Sequence, residues 1–342
     1  MDPFSLQQIG KTDLRVTRLG CGGATLGDAH GAISEAQAST TLEAAYAAGI
    51  SYFDTAPWYG LGKSEHRFGT VLRTKPRGSF VISTKIGRVL RRPRRIAGFQ
   101  QERWIGGLPL ELRFDYTRDG VLRSYEDSLQ RLSLNAVDAL LIHDLDFSHF
   151  GTEEGVNTRL DELQKKGGFR ALEELKRSGD IKAVGSGINH VGMIPRLLER
   201  FDLDMFIVAM PYTLLNQEAL DTELPLCTAR GTSVVIGAAF ASGILARGPD
   251  DNPTYGYQPA QSEIVQRTRR IAAVCRAHGV PLGAAALQFP FGHPSVASII
   301  PGPDHPSQVR SNLEWLRAPI PASLWTDLKA EKLIRQDAPT PG

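Results

Sequence analysis

Short apolar runs of β type alternate with longer amphipathic runs of helix type along all 342 residues, and that alternation confines the chain to the α/β class. Eight of the apolar runs read as strands, at 18–20, 51–53, 80–84, 139–142, 183–185, 205–208, 233–236 and 296–300. An N-terminal hairpin turning at 11–13 precedes them. Of the helical stretches, 34–48 opens with a Ser-x-x-Gln cap and 159–178 stops at Gly179. Each crossover is long enough for a right-handed βαβ unit. Length alone leaves room for two domains of about 150 residues, but no composition break or Pro/Ser-rich linker divides the chain. Eight strands therefore predict a single (β/α)8 TIM barrel over residues 1–342, with the hairpin in front and an extended loop, 90–120, inserted after the third strand. A doubly wound sheet is the alternative. Its fingerprint is missing, because the first βα turn, Gly20 to Gly27, lacks GxGxxG spacing and no acidic residue stands at the expected ribose position.

Composition narrows the functional classes. With 42% hydrophobic and 22% charged residues the chain can bury a large core. A net charge of +2 gives no field for nucleic acid or an anionic membrane, and no apolar stretch is long enough to span a bilayer. The N-terminus carries no apolar export segment, and the scattered Cys21, Cys227 and Cys275 suit neither a disulfide scaffold nor a clustered zinc site. A cytoplasmic protein is expected. His149, His190 and His293 lie outside ligand spacings, so no metal is expected, and Cys21 reads as buried rather than redox-active.

In a barrel the functional groups stand at the C-terminal ends of the strands. The polar residue that ends each apolar run is Asp54 after ISYF, Lys85 after FVIST and His143 after ALLI, with Tyr59 in the loop beyond Asp54. A phenol with a pKa of about 10 is a poor base at neutral pH, and a neighbouring ammonium lowers that pKa by favouring phenolate. A carboxylate keeps the ammonium charged and oriented, while a neutral imidazole hydrogen-bonds a substrate oxygen. Each residue alone also fits a plainer role: Asp54 a helix cap, Tyr59 half-buried packing, Lys85 a solvated loop, His143 a structural histidine. Together, at successive strand ends, they point to one site.

The strings Phe53-Asp-Thr-Ala-Pro-Trp-Tyr-Gly60 followed by Glu65, Ser83-Thr-Lys85 and Leu141-Ile-His143 resemble the aldo-keto reductases. The resemblance runs from Ile9-Gly-Lys-Thr-Asp-Leu14 to Ile300-Pro-Gly302 with Gln308 and Asn312. Asp115-Tyr-Thr-Arg-Asp-Gly120, Arg123-Ser-Tyr-Glu-Asp-Ser-Leu-Gln-Arg131 and His143-Asp144 are similar to the branch of D-threo-aldose 1-dehydrogenase, L-fucose and L-galactose dehydrogenases and pyridoxal 4-dehydrogenase. This implies an NAD(P)-dependent oxidoreductase that oxidises an aldose of L-fucose, L-galactose or D-arabinose type at C1 to the lactone by hydride transfer. Tyr59 would be its general acid/base, Lys85 would tune Tyr59, Asp54 would hold Lys85, and His143 would orient the reacting oxygen. Pyridoxal oxidation or aldehyde reduction at the same site is the nearest alternative. A non-catalytic nucleotide-sensing regulatory subunit and a phosphate-binding barrel lyase or isomerase are alternatives of other classes.

The resemblance also implies cofactor contacts. Most family members place Ser-Asn after the fifth strand to hold the nicotinamide carboxamide; here Gly187 and Ile188 occupy those slots, which leaves Ser186 or, preferably, Asn189. Tyr212 matches the ring that stacks on the nicotinamide, with core packing as its rival role. Gly237, Ala239, Gly243 and Leu245 belong to the loop after the seventh strand that wraps the pyrophosphate, and Gly23 of the first βα turn is grouped with them. Gly302, Gln308 and Asn312 match the adenosine end. Gly302 and Gln308 are neutral where NADP-preferring members carry cations, so NAD is favoured over NADP, with Arg310 as a possible phosphate contact. Trp58, Trp104 and Phe114 are expected to wall the substrate pocket. The run Arg88-Val-Leu-Arg-Arg-Pro-Arg-Arg95 lacks interleaved aromatics and reads as a solvated or substrate-covering loop rather than a nucleic-acid patch. The expected partner is a small sugar or aldehyde, with neither nucleic acid nor membrane.

Overall fold

A computed structural model describes residues 1–99, 104–256 and 258–342. Its main sheet has eight strands: β1 Cys21–Gly22, β2 Tyr52–Asp54, β3 Val81–Ile86, β4 Ala139–His143, β5 Ala183–Ile188, β6 Met205–Val208, β7 Ser233–Ile236 and β8 Val296–Ile299. Neighbours follow chain order and every pair is parallel, a pattern that requires crossover connections. The sheet closes on itself. Leu19 bridges Ile299, Gly20 N–H donates to the Ile299 carbonyl at 2.8 Å, and Gly22 N–H donates to the Pro301 carbonyl at 2.9 Å. The result is the expected (β/α)8 barrel. Its first strand lies at Cys21–Gly22 rather than 18–20 because Arg18 to Gly20 forms the seam with β8.

Strand alternation divides the side chains between two cores. Tyr52, Ala139, Ala183 and Met205 lead an inward set that fills the barrel, and Ile9, Leu14 and Val16 of the N-terminal hairpin close its lower end. That hairpin pairs Leu6–Gln8 with Arg15–Thr17. Leu140, Ile142, Val184, Ile188, Phe206 and Val208 face the surrounding helices instead. Above the apolar plug the inward positions turn polar, and this is where Asp54, Lys85 and His143 stand.

Two elements depart from expectation. The stretch 159–178 is not one helix but the end of Glu153–Lys165 and the whole of Gly168–Ser178, because Gly167 takes a left-handed φ of +76°. A Cβ on Gly168 would stand 2.0 Å from the Tyr116 carbonyl oxygen, so the second helix can pass Tyr116 only with glycine at its start. The insertion after β3 is a β-hairpin. Gly87, at φ +95°, turns the chain out of β3 into Arg88–Arg91, which pairs antiparallel with Glu111–Phe114. Within the expected loop 90–120, residues 100–103 lie outside the described residues. The buried ring of Tyr116 locks this hairpin, since a Cβ on Gly87 would fall 2.2 Å from it.

All three cysteines are buried and free. Among the described residues no helix is long and apolar enough to cross a membrane, and no cluster of His, Cys, Asp and Glu could hold a metal ion. Substituting Gly168→Ala drives a methyl group into backbone and is expected to destabilise the fold by about 3 kcal/mol. Gly78→Ala is the control, because a Cβ there meets nothing within 4 Å. Thermal unfolding followed by circular dichroism distinguishes them, and equal midpoints would contradict the tight approach at Tyr116.

Candidate active site

The last inward residue of β2 and the next-to-last of β3 meet directly. Lys85 Nζ donates to Asp54 Oδ2 at 2.7 Å and to the Thr55 carbonyl at 2.8 Å, with both side chains almost wholly buried. Ser83 Oγ donates to Asp54 Oδ1 at 2.7 Å and lies 3.1 Å from the Tyr52 hydroxyl. Burial pushes the Asp54 carboxyl above its ordinary range, against the pull of Lys85 and Ser83. Tyr59, in the loop after β2, places its ring centroid 4.6 Å from Lys85 Nζ. The His143 ring lies edge-on to it, with centroids 5.6 Å apart at 89°. The structure thus brings the four expected residues into one contiguous chain.

The surrounding residues hold that chain in place. Buried Glu65 accepts from Thr84 Oγ1 at 2.6 Å and from Arg131 Nε at 2.5 Å, which fixes the strand position next to Lys85. Ser64 Oγ donates to the Gly23 carbonyl at 2.8 Å, and a Cβ on Gly23 would lie 2.8 Å from the Asp54 carbonyl oxygen. Gly23 therefore serves close packing under Asp54. Lys63 Nζ bridges Asp28 at 2.7 Å and the Gly106 carbonyl at 2.8 Å, tying the insertion down beside Trp104. Trp104 packs edge-on to Trp58 at 5.6 Å and to Tyr59 at 5.9 Å.

Burial, followed by the charge of Arg88, pushes the His143 imidazole down to about 3, so it is neutral at physiological pH. Its Nε2 is 3.3 Å from Asp144 Oδ2, and among the described residues its buried Nδ1 has no partner. Burial opposes the charge of Asp144, but the imidazoles of His143 and His149 and the Arg88 guanidinium hold its carboxyl well below the ordinary range. Asp144 and Arg88 were not among the expected site residues. The arginine run, read as a solvated or substrate-covering loop, is divided: Arg92, Arg94 and Arg95 are exposed, whereas Arg88 is 1% exposed and pairs with Asp144 at 3.2 Å. The usable sequence signal was its place immediately after Gly87, where the chain turns over the barrel mouth. Trp58 and Phe114, two expected pocket walls, flank its guanidinium at 5.1 and 5.6 Å.

The other side of the mouth is open in character. Gly187 on β5 and Gly237 after β7 occupy inward positions, and a Cβ on Gly187 would make only ordinary contact, 3.5 Å from Asp144 and 3.9 Å from Lys85. Ser186 is turned away from the mouth. It shares the helix-facing parity of Val184 and Ile188, and its hydroxyl donates to the Ile142 carbonyl at 3.0 Å. Asn189 is half-buried in the bend just past β5. Tyr212 is wholly buried, packed 5.5 Å from Phe289 and 6.2 Å from His293. In the loop after β7, the amides of Gly237, Gly243 and Leu245 donate to the carbonyls of Val208, Phe240 and Phe240, and Ala239 and Leu245 are buried. Those three N–H groups are not the anion cradle in this conformation; the loop owes its shape to left-handed Ala241, Ser242 and Gly243. Gly302 follows β8 and Gln308 and Asn312 lie on the next helix, Pro306–Arg317; the loop between is stitched to the helix Glu35–Ala47 by Gln37 donating to the Asp304 carbonyl at 2.8 Å. The Gln308 side chain accepts from Asp304 N–H at 2.8 Å, and Asn312 is 5% exposed.

The depressed His143 pKa links to stability. Between about 3 and the ordinary 6.5 the unfolded chain binds the proton and the folded chain does not, so stability is full above 6.5 and falls as pH drops toward 3. A His143→Asn variant is expected to show a flatter dependence of thermal midpoint on pH over this window. An unchanged slope would place the acid sensitivity elsewhere.

The match to the model of the aldo/keto reductase family covers residues 18–331. The chain is 42% identical to pyridoxal 4-dehydrogenase of Microbacterium luteolum, over 95% of this chain and 97% of that protein. It is 40% identical to D-threo-aldose 1-dehydrogenase of a Pseudomonas species, over 96% of each. Among solved structures, the holo form of an aldo-keto reductase from Bacillus halodurans superposes with a TM-score of 0.73 at 25% identity, over 97% of both chains. The barrel, the convergence at its mouth and these likenesses agree: the chain belongs to the aldo/keto reductase family of oxidoreductases.

Proposed function

We propose that this protein oxidises an aldose of the L-fucose, L-galactose or D-arabinose kind at C1, giving the lactone. The carrying observation is the unbroken contact chain from Asp54 through Lys85 to Tyr59 and His143, at 2.7, 4.6 and 5.6 Å. Enzymes of this family use a nicotinamide dinucleotide, and the residues at the mouth fit one. Gly187, whose Cβ would make only ordinary contact with Asp144 and Lys85, suits a flat ring lying beside Lys85, and Asn189 carries amide groups suited to a carboxamide. Gly302, Gln308 and Asn312 would take the adenosine end. When bound, the dinucleotide supplies a two-electron hydride acceptor.

The protein's own contribution is a proton relay. Lys85, held by Asp54 and the Thr55 carbonyl, presents its ammonium to Tyr59 and favours the phenolate. Tyr59 then takes the proton of the hydroxyl on the carbon being oxidised. His143, neutral because it is buried beside Arg88, can orient that oxygen without adding a competing positive charge. Trp104, itself buried, packs edge-on against the half-buried Tyr59 and would shield one edge of its ring from water.

One observation favours a second substrate. The aromatic walls Trp58, Trp104 and Phe114 suit a flat heteroaromatic ring, and the 42% identical relative is named a pyridoxal dehydrogenase. Pyridoxal oxidation through its cyclic hemiacetal uses the same relay. Cofactor choice leans to NAD, because Gly302 and Gln308 bring no cation and the Gln308 amide is turned onto Asp304.

Replacing Tyr59→Phe is expected to lower kcat/KM by about 1,000-fold or more on any substrate, with dinucleotide binding retained in a fluorescence titration. Near-normal rates would sink the relay. Initial rates on aldoses and pyridoxal, each with NAD and NADP, are expected to favour an aldose and to prefer NAD by about tenfold, the effect of one missing charge contact. A preference for NADP would instead bring Arg310 into the phosphate site.

A further inference from the structure

Arg88 takes no part in the proton relay, yet it is built into the mouth. Its side chain is 1% exposed and sits between the rings of Trp58 and Phe114. Nη2 donates to Asp144 Oδ2 at 3.2 Å and to His149 Nε2 at 2.7 Å. The guanidinium has three further N–H groups on Nε and Nη1. Among the described residues those two nitrogens are buried without any acceptor. Buried donors on a charged group are normally paired, so a fixed set without acceptors signals an interaction the free protein does not supply.

Position indicates what that interaction is. Asp144 Oδ2, which Arg88 grips, lies 3.3 Å from His143 Nε2, so the guanidinium is one carboxylate removed from the imidazole that meets the reacting oxygen. Two expected walls of the substrate pocket enclose it. Asp144 already balances its charge, so a neutral hydroxyl is an adequate acceptor and no anionic substrate is required.

We propose that Arg88 is a substrate-positioning residue whose unpaired N–H groups bind an oxygen substituent one or two carbons from the reacting carbon. The inference rests on the redox function proposed above and narrows its substrates to oxygenated ones. An aldose offers its 2-hydroxyl and pyridoxal its phenolic 3-hydroxyl, so one contact serves both. A plain aldehyde has nothing to offer and is a poor substrate.

The test pairs an aldose with its 2-deoxy counterpart, and wild type with Arg88→Met, using NAD. The 2-hydroxyl is expected to raise kcat/KM by about 30-fold in wild type and by less than about 3-fold in Arg88→Met, the range of one hydrogen bond to a charged donor. Added guanidinium ion is expected to restore part of the preference to Arg88→Ala, and sodium chloride is not. A preference that survives Arg88→Met intact overturns the proposal. So does an equal fall on both substrates, which marks a residue that only shapes His143 and Asp144. If Arg88→Met fails to fold by circular dichroism, Arg88→Lys, with charge but without the planar fork, must show the lost preference instead. Wild type that reduces butanal with NADH yet ignores the 2-hydroxyl sinks this proposal alone. Wild type that turns over no carbonyl or hydroxyl substrate sinks the redox reading and this proposal with it.

Discussion

The buried ion pair between Lys85 and Asp54 is the contact on which the site depends. Two opposite charges, each almost inaccessible to water, lie 2.7 Å apart at the top of an otherwise apolar barrel. Removing one member of such a pair costs about 3–5 kcal/mol, because the survivor is left charged in a medium that cannot solvate it. The barrel tolerates the pair because its remaining lone pairs and protons are satisfied by Ser83 and the Thr55 carbonyl. That satisfaction follows from register. Asp54 is aligned with Ser83 across β2 and β3, so the hydroxyl that supports the carboxylate comes from the strand that carries the lysine.

A second constraint acts through Tyr116. Its buried ring fills the corner where Gly87 turns the chain out of β3, its carbonyl fixes the start of the helix Gly168–Ser178, and its hydroxyl donates to the His143 carbonyl at 3.4 Å. The inserted hairpin is therefore part of the scaffold, joined to the strand end that carries the imidazole. Its first residue, Arg88, is delivered to the mouth by the same turn, and Lys63 and Asp28 hold its far side at Gly106. Position at the mouth is set by packing and backbone geometry, with the charged contacts made afterwards.

Much of this was legible in the chain. Strand ends can be read wherever an apolar run stops at a polar residue, and that rule finds Asp54, Lys85 and His143 because polar groups inside a barrel concentrate at its mouth. It fails where the end of a strand carries glycine, so Gly187 and Gly237 gave no polar marker and the cofactor side rested on resemblance. Ser186 shows what parity adds. Counting forward two residues from Val184, a core residue facing the helices, turns it away from the mouth. Arg88 was obscured by its neighbours, since a run of arginines looks uniformly solvated until a single positive φ at Gly87 separates the first from the rest. The two helices within 153–178 were merged for a related reason: the amphipathic period continues across Gly167, and only the approach to Tyr116 requires the break.

The mouth is asymmetric, and the asymmetry itself has chemical content. Strands β2 to β4 and the loop after β2 present titratable side chains, linked by one short ion pair and by ring contacts, with Trp104 packed against Tyr59. Strand β5 presents Gly187, which brings little chemistry of its own. Under the proposed function the flat ring of the dinucleotide would lie on the second side and the oxygen-bearing carbon on the first, so the two reactants would be sorted by shape before any charge is exchanged. Charge then sets the protonation states. The neutral His143, the ionised Asp144 and the buried Arg88 hold one another in those states, and a change at any of them must be felt at the other two. In the proposed function, substrate choice and proton transfer would be coupled through Asp144, which touches both the guanidinium and the imidazole.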